Sequence, residues 1–473
     1  MPQTVTIIGA GLAGSEAALQ LADRGFAVRL VEARPLVPTP VHESANAAEL
    51  VCSNSLKGTK PDSAAGMLKA ELAALGSQVY AAALRHAVPA GGALAVERAA
   101  FSADVTALLK AHPLIRFERA EVADVAEAAA LADAVVVAAG PLASDALAVS
   151  LARLTGREHL AFFDAAAPIV MADSLDRSKV FSQSRYEDGG GDYLNAPFSK
   201  DEYDAFARAL VGAERVIRRD FESRDLFQAC QPIEEVARAG HDAPRFGALK
   251  PVGLVDPRTG RRPWAAVQLR AEDPAGQSYN LVGFQTNLTF PEQRRVFRMI
   301  PGLEQAEFAR FGVMHRNTFL DAPRLLDGHL RLTTPQAAAL PAPVYVAGQI
   351  AGTEGYCEAM RSGLHAALAV AADLAGTALP KLPRETAFGA LLAWATDPAT
   401  VDYQPLHVNF GIMEPLVPPV RNKRERYAAY AARGAEALAA YQSALLACGL
   451  ASPMRPAAVP DGPRRDADEG AAQ

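Results

Sequence analysis

The stretch Thr4-Val5-Thr6-Ile7-Ile8-Gly9-Ala10-Gly11-Leu12-Ala13-Gly14 carries the strongest structural signal in the chain. Thr4 to Ile8 reads as a short buried strand, the glycines as a turn, and Ser15 to Arg24 as a helix. A second strand, Ala27 to Val31, ends at Glu32. Strand, glycine turn, helix, strand and acidic residue follow in the order a dinucleotide site requires. Gly9 permits the tight turn, Gly11 lets the backbone approach a pyrophosphate, and Gly14 lets helix and strand pack closely. The helix start, with Ala10, Leu12 and Ala13 around it, offers N–H groups and a positive dipole end to that pyrophosphate. Glu32, about 20 residues on, is placed to accept the ribose hydroxyls of an adenosine.

The turn alone does not choose between dinucleotides, but two further features favour FAD. The fingerprint lies at the extreme N-terminus, and a second glycine-bearing strand–turn–helix follows late in the chain. That unit is Val344-Tyr345-Val346-Ala347-Gly348-Gln349-Ile350-Ala351-Gly352, then Glu354-Gly355 and a helix through Ala375. The layout resembles the glutathione-reductase-type flavoproteins, whose late glycine-rich strand reaches the flavin; Gly348 and Gln349 are its candidates here. The expected fold class is therefore α/β, a Rossmann-type FAD-binding domain with a mixed α+β insertion. No second Gly-x-Gly-x-x-Gly exists for a resident nicotinamide, and Gly189-Gly190-Gly191 lacks a strand and helix around it. NAD(P)H, if used, visits, delivers electrons and leaves.

The chain has 473 residues, 50% hydrophobic and 21% charged, a globular profile of about three domains or one large elaborated one. A net charge of −6 gives no global reason to bind nucleic acid, so an RNA partner must meet a local basic patch. A strand beginning by Thr4 leaves no room for a secretory signal, and no apolar run is long enough to cross a membrane. Cys52, Cys230, Cys357 and Cys448 lie far apart, without Cys-x-x-Cys, which argues against a metal site and a disulfide framework. The expected compartment is the cytoplasm.

Strand and helix signals alternate to about residue 150, including the buried run Asp133 to Pro141. From about 156 to 320 proline, arginine and aromatics rise and alanine falls. The expected division is 1–155 for the first part of the FAD-binding domain and 156–320 for an insertion or substrate domain. Residues 321–450 return to the first domain and add C-terminal helices, including an Ala-rich run from Arg424. Residues 451–473, rich in Pro, Ala, Gly and charge, read as a disordered tail.

Cysteines are usually small buried hydrophobes, and Cys448 on an Ala/Leu helix reads as structural. Cys357 begins a helix without other signs of a nucleophile. Cys52 differs in lying among polar residues, and Cys230 precedes Gln231-Pro232-Ile233-Glu234-Glu235, where a helix start would lower its pKa. The stretches Ala48-Glu49-Leu50-Val51-Cys52-Ser53-Asn54-Ser55-Leu56, Val88-Pro89-Ala90-Gly91-Gly92-Ala93-Leu94-Ala95-Val96 and Phe163-Asp164-Ala165-Ala166-Ala167-Pro168-Ile169-Val170 resemble the folate- and FAD-dependent tRNA uracil-5-methyltransferase family. Lys250-Pro251-Val252-Gly253-Leu254, Phe297 to Glu304 and Gly312 to Thr318 agree, so the resemblance spans about residues 4 to 430. That family is related to the GidA-type flavoproteins, which share the flavin domain but lack the Cys-Ser-Asn-Ser stretch. The chain departs from the family pattern at Ser44, Ala45 and Ala47, and around Glu358, where Cys357, Ala359, Met360 and Arg361 stand.

The resemblance implies methylation of the T-loop uridine of tRNA, with methylenetetrahydrofolate as carbon donor and NAD(P)H as electron donor through FAD. Uracil C5 is a poor nucleophile, and a thiolate adding at C6 makes it enolate-like; a base must then remove the C5 proton. The resemblance implicates two cysteines: Cys230 is assigned to C6, and Cys52 to the partner base or a transient adduct, with the opposite order open. A small-molecule NAD(P)H–flavin oxidoreductase and a non-catalytic RNA-binding flavoprotein are the alternatives. Both leave the cysteines without a role. Basic groups for tRNA are Arg421, Lys423, Arg424 and Arg426; Arg215, Arg218, Arg219 and Arg224; Arg258, Arg261 and Arg262; and Arg294, Arg295 and Arg298. Tyr186, Tyr193 and Phe198 are candidates to stack on a flipped base, against core packing as the ordinary role of each.

Overall fold

A computed structural model describes residues 2–39, 41–156, 160–165, 167–186, 191–216, 231–400 and 403–451. The first strand, Thr4–Ile8, lies at the centre of a five-stranded parallel sheet. Its order is Val344–Val346, Ala134–Val137, Thr4–Ile8, Ala27–Glu32, Ile115–Arg119. Val5, Ile7 and Ile8 and all of Ala134–Val137 are buried, as parallel strands covered on both faces must be. The register sets Ile7 beside Leu30 on one side and Val136 on the other. The glycine turn thus leaves the carboxyl end of the central strand, the place where open α/β sheets bind ligands.

Two helices cover this end. Leu12–Asp23 follows the first turn directly, and Tyr356–Ala375 packs across it. A Cβ on Gly363 would lie 2.1 Å from the Ala13 carbonyl oxygen, so glycine there sets how closely the helices cross. The Ser362 hydroxyl accepts the Gly348 N–H at 2.7 Å, tying the late glycine turn to the second helix.

The insertion is a six-stranded antiparallel sheet, ordered Phe181–Ser182, Tyr193–Phe198, Ala265–Ala271, Ser278–Leu281, Ile169–Met171, Phe308–Arg310. Helix Lys200–Gly212 lies against it and begins with a capping box between Ser199 and Glu202. Phe198, Phe206, Phe284 and Phe297 form a chain of ring contacts in its core. Phe198 is therefore a core residue, which removes it from the base-stacking candidates. The paired strands Leu160–Ala165 and Met314–Phe319 carry the chain into and out of the insertion. The largest hydrophobic core draws on residues from Val5 to Leu154 and from Phe319 to Leu450, a second on Val170 to Ala306, with two small clusters beside them. No helix among the described residues is long and apolar enough to cross a membrane. The long C-terminal helix is Lys423–Ala447. The tail read as disordered, from 452 on, lies outside the described residues.

Candidate active site

A cavity of about 1430 Å³ opens at the carboxyl end of the parallel sheet. Small-molecule sites usually measure about 300 to 1,000 Å³, so this one has room for a dinucleotide and a second ligand. Gly9, Gly11, Leu12, Ala13, Glu32, Cys52, Gly348 and Gln349 all line it. Ala10 and Gly14 are not in the wall but shape it. Gly9 has φ +99°, and a Cβ there would lie 2.6 Å from the Ala138 carbonyl oxygen. At Gly14 a Cβ would stand 1.9 Å from the Gly9 oxygen. Gly11 differs: its Cβ would meet nothing within 4 Å, because the space beside it is cavity.

These features fit a dinucleotide. Helix Leu12–Asp23 has no side-chain cap, and neither has Tyr356–Ala375, so N-terminal N–H groups of both remain for phosphate or another acceptor. Glu32 accepts the Ala10 N–H at 2.8 Å through one carboxylate oxygen, and the Arg34 N–H and Nε through the other, at 3.0 and 3.1 Å. Burial would raise this carboxyl, but the Arg34 charge and the N–H bonds hold it below the usual carboxylate range. It is an anion fixed in place, with lone pairs left for hydroxyl donors. Arg34 also reaches Glu49 at 3.1 Å. His42, in the same wall, is pushed down to about 4 by burial and by the Arg34 charge, so it is neutral at pH 7.

Cys52 belongs to a loop that comes back to the glycine turn. The Ala48 N–H donates to the Ala10 carbonyl at 2.9 Å. Beyond the cysteine, Ser55–Gly58 pairs with Ala93–Val96, and the Val96 N–H donates to the Asn54 carbonyl at 3.0 Å. Two of the stretches that carried the family resemblance are thus hydrogen-bonded to each other. Ala48 (φ 53°) and Lys57 (φ 66°) flank the loop in the left-handed region. Each costs about 1 kcal/mol, and such residues persist where the surroundings enforce them, often at functional sites.

Side chains from distant parts of the chain enforce this loop. The Tyr356 hydroxyl accepts the N–H groups of Cys52 and Ser53 at 3.0 and 3.3 Å. Burial, then the proximity of Cys52, pushes this phenol up, so it stays protonated. Arg98 donates to the carbonyls of Leu50 and Val51 at 2.9 and 3.3 Å, and is held by Glu272 at 2.6 and 3.1 Å. Arg270 donates to Asn54 Oδ1 and Ser53 Oγ, both at 2.8 Å. Tyr356, Arg98, Arg270 and Glu272 do not announce themselves in the sequence. Only Tyr356, next to Gly355 in the late glycine unit, sits in a stretch that could have drawn the eye.

The other cysteines separate. Cys230 lies outside the described residues; the chain resumes at Gln231 and enters the short helix Ile233–Ala239. The Ile233 N–H donates to the Gln285 carbonyl at 2.8 Å, and Gln285 lines the cavity. Cys357 is buried in the second turn-forming position of its helix, and burial pushes its thiol up, as expected of an unreactive thiol. Cys448 caps the last helix and is exposed, not buried as a packing residue would be. Among the described residues no group of three or more His, Cys, Asp or Glu could hold a metal ion.

Fold and cavity define a dinucleotide-binding flavoprotein architecture. Residues 4–378 match the family model described as glucose inhibited division protein A. Solved structures of Aquifex aeolicus GidA superpose with TM-scores of 0.65 and 0.64 at 16% identity, covering 93% of this chain and 73% and 76% of theirs. Sequence relatives are nearer. The methylenetetrahydrofolate–tRNA-(uracil-5-)-methyltransferase TrmFO of Heliobacterium modesticaldum is 52% identical over 92% of this chain and 97% of its own. That of Symbiobacterium thermophilum is 51% identical over 92% and 96%. The chain belongs to the glucose inhibited division protein A family and, within it, to the methylenetetrahydrofolate–tRNA-(uracil-5-)-methyltransferases.

Proposed function

We propose that this chain methylates C5 of a uridine in tRNA, the T-loop uridine at position 54, with carbon from methylenetetrahydrofolate and electrons from NAD(P)H through FAD. The observation that carries this reading is Cys52, held in the wall of the cavity that Gly348 and Gln349 also line, in a chain of this family. The glycine turn and the start of helix Leu12–Asp23 would hold the pyrophosphate, and Glu32 the adenosine ribose. Gly348, Gln349 and the start of helix Tyr356–Ala375 would hold the flavin end. When bound, FAD supplies the reducing equivalents that bring the transferred carbon to the methyl level. The chain's own groups prepare the uracil. A thiolate, assigned to Cys230, adds to C6 and makes C5 nucleophilic, while Cys52 takes the C5 proton or carries a transient adduct.

No second resident nucleotide motif exists, so NAD(P)H is a visiting co-substrate. Arg421, Lys423 and Arg424 are exposed at the start of the last helix; Arg261, Arg262 and Arg294 are exposed elsewhere, as is Arg295, though paired with Glu292. Arg215, Arg258 and Arg298 are already engaged, by Glu235, Asp256 and the Ala306 carbonyl; Arg218, Arg219 and Arg224 lie outside the described residues. Tyr186, 72% exposed, has a ring available for stacking; Tyr193 is half-buried and bonded to the Ala90 carbonyl. The cytoplasm, where tRNA and folate meet, is the proposed compartment.

Trapping tests the roles. Fluorouridine-substituted tRNA should form a covalent complex with the native chain and with Cys52→Ala, but none with Cys230→Ala, while NADPH oxidation survives in both. Trapping that persists in Cys230→Ala and vanishes in Cys52→Ala would reverse the assignment, and no trapping at all would overturn thiolate addition.

A further inference from the structure

Two guanidiniums, Arg98 and Arg270, bond directly to the 50–54 loop, while the carboxylate that precedes it, Glu49, is paired with Arg34. Arg98 and Arg270 bring two cations, each mostly buried, and Glu272 returns one anion. Tyr356 is neutral, Tyr193 lies against Arg270 as a further phenol, and Lys57 and Glu358 pair with each other at 3.4 Å. A buried cation close to an ionisable thiol favours its anion. Burial would weaken the Arg98 guanidinium, but Glu272 keeps it charged, and Tyr356 and Cys52 lie within its field. The guanidinium cannot swing away, because two carbonyls of the loop and a carboxylate of the insertion fix all three nitrogens.

We propose that Arg98 is a positioning residue for Cys52: anchored by Glu272 of the insertion, it fixes the 50–54 loop and favours the thiolate over the thiol. The inference rests on the reading of Cys52 as a reacting residue, and it adds a reason for the insertion to touch this loop. Through Glu272 and Arg270 the insertion sets the ionisation of a cysteine in the cavity wall. The proton released goes to solvent when the thiolate forms, and no oxidant or reductant is required.

The test does not depend on methyl transfer. The FAD-loaded full chain, kept reduced, is alkylated with iodoacetamide across pH 5 to 10, and each cysteine is followed by peptide mass spectrometry. A cation removed from beside a thiolate raises its pKa by about one unit or more, so Arg98→Gln should slow Cys52 alkylation about tenfold at pH 7. Arg98→Lys should retain most of the rate. Glu272→Gln keeps an acceptor for Arg98 but removes the anion, and should speed Cys52 alkylation. Exposed Cys448 serves as the internal reference and should not change. A purely structural role predicts that Arg98→Gln and Glu272→Gln move Cys52 in the same direction, and that result, or no movement in either, would overturn the proposal. Should Arg98→Gln fail to fold, Glu272→Gln decides alone: faster alkylation supports the proposal and slower contradicts it. If Cys52 proves dispensable for methylation while these shifts appear, the catalytic reading fails and the electrostatic one stands.

Discussion

The 9–14 turn is shaped by its glycine backbone, with side-chain bonds from Glu32 and Ser15 to Ala10 alone, whereas the 50–54 loop beside it is held by side chains from three other parts of the chain. In the turn, Gly14 is required because the Gly9 oxygen occupies the place of its Cβ. In the loop, the constraint comes from Arg98, Arg270 and Tyr356, which reach it across as many as 304 positions of sequence. The two segments meet through the Ala48–Ala10 hydrogen bond. The difference suits their tasks. A phosphate cradle needs N–H groups and closeness, which glycine provides, while the reacting thiol proposed at Cys52 would need a controlled local charge, which ionised side chains can provide.

Breaking the turn should have the largest effect. Gly14→Ala must displace backbone, so a loss of about 3 kcal/mol and most of the bound flavin is expected, read as thermal midpoint and absorbance of the purified chain. Gly11→Ala should leave the midpoint within about 1 kcal/mol of native, since no protein atom is displaced, yet bind flavin poorly. Equal losses of stability in the two variants would show that Gly11 is a packing residue as well.

Breaking the loop comes next. Arg270→Met leaves Asn54 Oδ1 without its guanidinium donor, and Ser53 Oγ with only the Ser55 N–H, at about 1 to 3 kcal/mol; denaturant unfolding gives the value. Tyr356→Phe removes the acceptor of two N–H groups and should cost a similar amount.

A third measurement concerns Glu234, buried beside the segment that leads from Cys230. Its carboxylate accepts from Thr286 Oγ1 at 2.9 Å and from the Asn287 N–H at 2.6 Å. Burial outweighs these bonds and pushes it from 4.5 up to about 7. The folded chain therefore holds a proton that the unfolded chain loses between those values. Its contribution to stability is fully present below pH 4.5 and is lost as pH rises through 7. Glu234→Gln should flatten that part of the stability–pH curve and be more stable than native at pH 8; an unchanged slope would contradict the assigned shift. The smallest effect is expected at Arg295, whose pair with Glu292 is half exposed: Arg295→Ala should change stability by about 0.5 kcal/mol or less, in contrast to the buried arginines at the loop.

The same comparison explains what could be read from the sequence. The turn at 9–14, the second strand ending at Glu32 and the late unit from Val344 are local patterns, each complete within some thirty residues or fewer, and the sheet follows from them. The loop's supports leave no local trace. Arg98 lies at the start of an ordinary helix and Glu272 just past an ordinary strand, and only folding brings them to 2.6 Å. Exposure was equally illegible: Phe198 could as well have been a surface ring, and Cys448 on its alanine-rich helix as well have been buried.

Carbon transfer from folate to tRNA by this chain can be followed directly. Unmodified tRNA transcript, NADPH and methylenetetrahydrofolate labelled in its methylene carbon are incubated with the purified chain, and the nucleosides are weighed after digestion. The proposed reaction yields 5-methyluridine carrying the label at position 54, and none when folate or NADPH is omitted. Unlabelled or absent 5-methyluridine, from protein that is yellow and oxidises NADPH, would contradict it.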